Sequence, residues 1–197
     1  MTEKFQNKYR IPSARASWWD YGANAAYFIT ICTDQRKHYF GKIINGEMHL
    51  SALGKIAQQC WNEIPQHFPF VILDEFVVMP NHIHGIIIID KMDIDTLGVQ
   101  TQNFASPDDM ESKETQDFVS LPDGAKNTFG PQSQNLPSII RGFKIGVTKL
   151  ARTQNPNFAW QPRYHDHIIR DQKAYENISN YIRNNPSNWE KDKFHLL

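Results

Sequence analysis

From His82 to Ile89 the chain reads HIHGIIII, and beyond Gly85 it offers apolar side chains to both of its faces. A strand with one face in water alternates apolar and polar residues, so a β-rich run without that alternation must be covered on both sides. The segment therefore reads as the central strand of a sheet. Two histidines sit in it, His82 and His84, and residues two apart on a strand point to one face. The Pro80-Asn81 turn is expected to hold this pair at a strand entrance near solvent. Gly85, directly after it, is expected to leave room for close approach of another group.

The other elements are arranged around this strand. AYFITICT, from Ala26 to Thr33, is β-branched and aromatic and reads as a strand, and Gly41 to Leu50 reads as a hairpin turned at Asn45-Gly46. Ser51 suits the N-cap of a helix running to about Phe68, on which Leu53, Ile56, Ala57, Cys60, Trp61 and Ile64 recur at helical spacing. Val71 to Met79 reads as a strand. Pro137 opens a helix reaching about Arg152, Trp160 to Arg170 reads as a strand, and Asp171 caps a last helix through Tyr181 to about Asn185. Strands and helices in this order imply an α+β sandwich of ferredoxin-like or RRM-like type. Its sheet should be mainly antiparallel, with the helices mainly on one face.

The 197 residues suit one domain, and their formal net charge of zero conceals an asymmetry. Between Asp90 and Gly124 lie nine acids and two lysines, a net −7, so the remainder carries +7. That stretch is polar, lacks periodicity, and continues to about residue 135. It reads as a mobile acidic insertion at about 91–135 rather than core. The body without it is basic, which suits a polyanionic partner. MTEKFQNKYR has no apolar stretch of signal-peptide type, and Ile86 to Ile89 is too short to cross a membrane. Cys32 and Cys60 match no metal-binding spacing and read as reduced thiols of a cytoplasmic protein.

Two imidazoles on one strand face can share an ion, or they can be buried groups bonded to backbone carbonyls; H-x-H alone leaves both open. A second pair, His165 and His167 in RYHDHIIR, adds a reading of another class, a zinc metalloprotein using all four histidines. On the last helix Tyr181 and Asn185 are four apart and share a face. A phenol and an amide oxygen set against two histidines make a nucleophile beside an incomplete metal site. Neutral donors that leave positions open for water and phosphate oxygens suit Mg²⁺ or Mn²⁺ acting on a phosphodiester.

MPNHIHGIIII, then WQPRYHDHIIR, then NYIRNNPSNW resembles the single-tyrosine HUH transposases, most closely the REP-associated tyrosine transposases of the IS200-like superfamily. DYGANAAYFITICT, FGKI, LDEFVVMPNH and IIRGFK resemble the same group in the same order, and only the region from Asp90 to Asn135 falls outside the likeness. The resemblance implies a bacterial cytoplasmic enzyme of DNA transposition and recombination that nicks single-stranded DNA and transfers the strand. It makes Tyr181 the nucleophile, forming a 5′-phosphotyrosine link and a free 3′-OH. His82, His84 and Asn185 become the ligands of Mg²⁺ or Mn²⁺, and the substrate a DNA hairpin or palindromic end. Such proteins commonly work as homodimers, and others of them act as monomers, so both assemblies stay open. A non-catalytic or domesticated hairpin-binding relative is the alternative within the same class. Arg141, Lys144, Lys149, Arg163, Arg170 and Arg183 are the expected DNA contacts, with Arg152 and Lys173 near them and Trp18, Trp19 or Trp160 as stacking platforms for bases.

Overall fold

A computed structural model describes residues 18–91 and 133–195. The expected acidic insertion lies, apart from its ends, outside the described residues. Strand β1 (Ala25–Cys32) leads to a hairpin of β2 (Gly41–Ile44) and β3 (Glu47–Leu50), then to helices α1 (Ala52–Asn62) and α2 (Ile64–His67). Strands β4 (Val71–Val78) and β5 (His82–Ile89) follow. Helix α3 (Leu136–Gln154), strand β6 (His165–Ile169), helix α4 (Gln172–Asn184) and a 3-10 turn (Pro186–Lys191) complete the described chain.

The main sheet has the order β4-β5-β1-β6, with every pairing antiparallel. Without the β2–β3 hairpin this is a β-α-β-β-α-β unit, the ferredoxin-like pattern. β5 lies inside the sheet between β4 and β1, as its apolar faces require. Its odd-numbered side, Ile83, Ile87 and Ile89, joins Tyr27, Ile29 and Ile31 of β1 in the core under α1 and α3. Trp61 of α1 is buried there, stacked on Phe76 at 4.5 Å and edge-on to Phe143 of α3 at 5.5 Å. The even-numbered side carries the histidines and meets α4.

Local chemistry sets most boundaries. Asn45 and Gly46 both take positive φ, 51° and 79°, the geometry of a two-residue hairpin turn. Ser51 accepts from the Gly54 N–H at 3.1 Å, Asn135 and Ser138 form a reciprocal capping box, and Asp171 accepts from Ala174 N–H at 2.8 Å.

Three expectations need correction. The helix from Ser51 to Phe68 is two helices, because Pro65 supplies no N–H to continue the ladder from α1. The strand expected from Trp160 to Arg170 is confined to His165–Ile169. Pro162 lacks a donor and Arg163 has φ 69°, leaving Trp160 only an isolated bridge to Thr33. The Pro80-Asn81 turn is not near solvent. Asn81 is fully buried, its carbonyl accepts from Thr33 N–H at 2.9 Å, and the Pro80 carbonyl accepts from Phe40 N–H at 3.0 Å.

Candidate functional site

The register places Cys32 opposite His82 and Thr30 opposite His84; His84 faces Tyr181 of α4, and His82 faces Trp189 and Phe194 of the segment after it. Each ring is steered through Nδ1. Asn81 donates from Nδ2 to the Phe194 carbonyl at 2.9 Å, which leaves its Oδ1 as the acceptor 2.8 Å from His82 Nδ1. His82 Nδ1 must therefore carry the hydrogen, and Nε2 keeps its lone pair. That Nε2 is buried and has no hydrogen-bond partner. His84 Nδ1 lies 2.9 Å from Thr30 Oγ1, and its Nε2 lies 3.1 Å from the Tyr181 hydroxyl. Gly85 leaves room as expected, but on the opposite face, where the space is filled by Trp61 rather than by a group beside the histidines.

Helix α4 is hung from the edge of the sheet. Consecutive residues of a regular strand point to opposite faces, but β4 shifts register between Leu73 and Phe76. The irregularity lets two successive carboxylates reach the helix. Tyr175 donates to Asp74, and Arg183 pairs with Glu75 through Nε at 2.8 Å and Nη2 at 2.5 Å. Between these anchors Tyr181 stands edge-on to Phe28, with ring centres 6.1 Å apart. Burial raises the Tyr181 pKa, nearby Asp192 adds to the rise, and the Asn185 amide opposes it. The side chain is therefore a phenol at neutral pH.

Tyr181, His84 and Asn185 line one cavity of about 1140 Å³, together with Arg163, His165 and Asp192. The buried Asn185 Oδ1 also lacks a partner. His82, His84 and Asp192 each offer a ligand atom, all within 4.8 Å of one another. Lone-pair nitrogens, a carboxylate and an orphaned amide oxygen form a donor set that fits a divalent ion. Asp192 was not foreseen. It follows the buried Trp189 in a 3-10 turn after α4, and no periodicity in NNPSNWEKD marks it.

Burial, and next the charge of Lys193, lowers the His84 pKa to about 3; burial, and next His84, takes His82 well below its usual range. Both are neutral when folded, whereas an unfolded imidazole takes a proton as pH falls through about 6.5. The metal-free protein should keep its full stability above about pH 6.5. Below that it should lose stability progressively through both histidines, with the His84 contribution continuing towards pH 3. Urea midpoints at pH 7 and pH 5, measured with a chelator present, test this; equal midpoints would refute it.

The second histidine pair does not join the first in one donor set among the described residues, although His165 lines the same cavity as His84. His165 and His167 lie exposed on β6, opposite Thr30 and Phe28 of β1, and among the described residues the possible metal group contains neither. The basic residues divide. Arg141, Lys149 and Arg152 line a second cavity of about 890 Å³ beside α3, which shares Gln161, Pro162 and Tyr164 with the first. Lys144 donates to the carbonyls of Gln161 at 2.8 Å and Arg163 at 3.0 Å, strapping α3 to the segment between the cavities. Arg152 donates to the Phe158 carbonyl at 3.1 Å, and Lys173 is exposed at the start of α4. Arg170 stacks over the exposed Trp18 at 5.0 Å. Trp19 donates to Tyr27 at 3.0 Å, and Trp160 donates to the Lys144 carbonyl at 3.2 Å within an aromatic cluster. No helix among the described residues is long and apolar enough to cross a membrane, and Cys32 and Cys60 are both free.

The fold is similar to that of a solved tyrosine transposase. A REP-associated tyrosine transposase solved bound to a REP hairpin matches with a TM-score of 0.55 at 17% identity, over 92% of this chain and 77% of that one. In sequence the chain is 40% identical over 188 residues to an uncharacterized protein of Haemophilus influenzae, covering 93% of this chain and 92% of that protein, and it belongs to one family with it. No protein-family model matches the chain.

Proposed function

We propose that the chain is a single-strand DNA nickase and strand transferase of the transposase type, with Tyr181 as its nucleophile. The observation that carries this reading is the Tyr181 hydroxyl 3.1 Å from His84 Nε2, beside the unpartnered His82 Nε2 and Asn185 Oδ1. The Tyr181 oxygen attacks a DNA phosphorus. A tyrosyl O–P bond forms, the P–O3′ bond breaks, the phenol proton leaves to solvent, and the departing 3′ oxygen takes up a proton. The 5′-phosphotyrosine ester preserves one phosphodiester bond, so a later 3′-OH can reverse the exchange without an external energy source. Thr30 and Asn81 hold the imidazoles, while the Asp74 and Glu75 clasp on α4 holds the phenol above them.

His82, His84 and Asn185 would hold Mg²⁺ or Mn²⁺, which supplies charge to the phosphate oxygens and lowers the cost of forming phenolate. Arg163 on the rim, with Arg141 and Lys149 along α3, would follow the backbone of a single strand or hairpin, and Arg170 over Trp18 would extend that track. Lys144 would keep the segment 161–163 in place while contributing charge. Arg183 is engaged by Glu75, and its role is to fix α4.

The reading is tested with oligonucleotide hairpins bearing randomised single-stranded flanks, incubated with protein and Mn²⁺ and resolved on a denaturing gel. A covalent adduct retaining the label 3′ of the cut is expected. Absence of any adduct across the library, from protein that binds Mn²⁺, would overturn it.

A further inference from the structure

We infer that Asp192 is a ligand of the divalent ion, delivered to the histidine pair by the segment that follows α4. The inference rests on the ion of the proposed reaction but not on the reaction itself. Ligands about 2.1 Å from a common ion lie at most about 4.2 Å apart. The donor atoms of His82, His84 and Asp192 already fall within 4.8 Å of each other, so small side-chain rotations close the set. Other short-range clusters of acids and histidines arise by chance on surfaces, but here two of the three donors are buried. One of them, His82 Nε2, holds a lone pair with no partner.

The backbone around Asp192 is tied to the same amide that steers His82. Asn81 turns its oxygen to His82 Nδ1 and its NH₂ to the Phe194 carbonyl, two residues beyond Asp192. Phe194 packs over His82 with ring centres 4.5 Å apart, and its own N–H donates to Asp192 Oδ1 at 2.7 Å. The Asp192 N–H bonds the Trp189 carbonyl at 3.0 Å. One carboxylate oxygen is thus held by the backbone, which leaves the other for an ion.

Charge gives the reason for a carboxylate. Two neutral imidazoles and an amide bring no negative charge to a hard divalent ion, and such ions prefer anionic oxygen. Of the acids near α4, Asp74 and Glu75 are committed to Tyr175 and Arg183. Asp192 is the acid grouped with the histidines among the described residues.

The test is Mn²⁺ binding to DNA-free protein, followed by electron paramagnetic resonance of the free ion, for wild type, Asp192→Asn, Asp192→Glu and the neighbouring Glu190→Gln. Asp192→Asn should weaken Mn²⁺ at least about tenfold, with Glu190→Gln unchanged and Asp192→Glu recovering part of the loss. Thermal melts should show that saturating Mn²⁺ stabilises wild type more than Asp192→Asn, while the metal-free midpoints stay alike. Wild-type affinity in Asp192→Asn would overturn the assignment, as would wild type that binds no Mn²⁺. Failure of the DNA adduct with Mn²⁺ binding and the Asp192 effect intact would count against the nicking reaction alone.

Discussion

Replacing Tyr181 by phenylalanine should erase the covalent protein–DNA adduct, with strand cleavage falling by at least about a thousandfold, as when a nucleophile is removed from other covalent enzymes. The fold should hardly notice. The substitution deletes one hydroxyl with its bonds to His84 and the Asn185 amide, about 1–2 kcal/mol, and leaves the ring against Phe28. Mn²⁺ affinity should stay the same or rise, because His84 Nε2 has one lone pair and the phenol no longer competes for it. A denaturing gel and an ion titration on the same preparation separate loss of chemistry from loss of the site. If the adduct persists, the nucleophile lies elsewhere, and Tyr164, the other tyrosine lining the cavity, is the next candidate.

The largest expected stability effect comes from one methyl group on the far face of the same strand. A Cβ added at Gly85 would lie 2.4 Å and 2.7 Å from two ring carbons of Trp61 and 3.2 Å from Phe76. Trp61 cannot swing aside, since it is 1% exposed and held between Phe76 and Phe143. Gly85→Ala should therefore cost about 3 kcal/mol, at the upper end for overpacking, and lower the melting temperature by roughly 10 °C. Because His84 is the adjacent residue, any retreat of β5 also displaces the imidazole facing Tyr181. Adding Trp61→Leu should return part of the loss, a coupling that a double-mutant cycle measures. An unchanged melting temperature in the single variant would show that the helix yields instead.

The order of strands and helices was readable because each element carries its own local signal. The apolar faces of β5, the Asn-Gly turn and the caps at Ser51 and Asp171 all lie within a few residues of what they determine. Tyr181 and Asn185 were legible as a pair for the same reason, being one helical turn apart. What was not legible depends on contacts between distant parts of the chain. Asp192 approaches the histidines because Asn81 binds the carbonyl of Phe194, an interaction spanning 113 positions. The burial of the Pro80-Asn81 turn has the same origin. Lys144 looks like any basic residue of an acid-free helix, and only the path of segment 161–163 reveals the carbonyls that accept its hydrogen bonds. The shortening of β6 needed the positive φ of Arg163, which an arginine does not advertise.

The irregularity in β4 has a consequence for the accuracy of the proposed attack. A helix pinned at one point can still roll about its axis, and a roll swings a side chain through an arc several ångströms wide. Tyr175 and Arg183 are eight residues apart, about 12 Å along the helix, and Tyr181 lies between them. Two pins that far apart remove both the roll and the tilt, and the second pin exists because a shift in strand register turns Glu75 as well as Asp74 towards α4. The aim of the phenol is thus set at the outer edge of the sheet, one strand away from the histidines it faces.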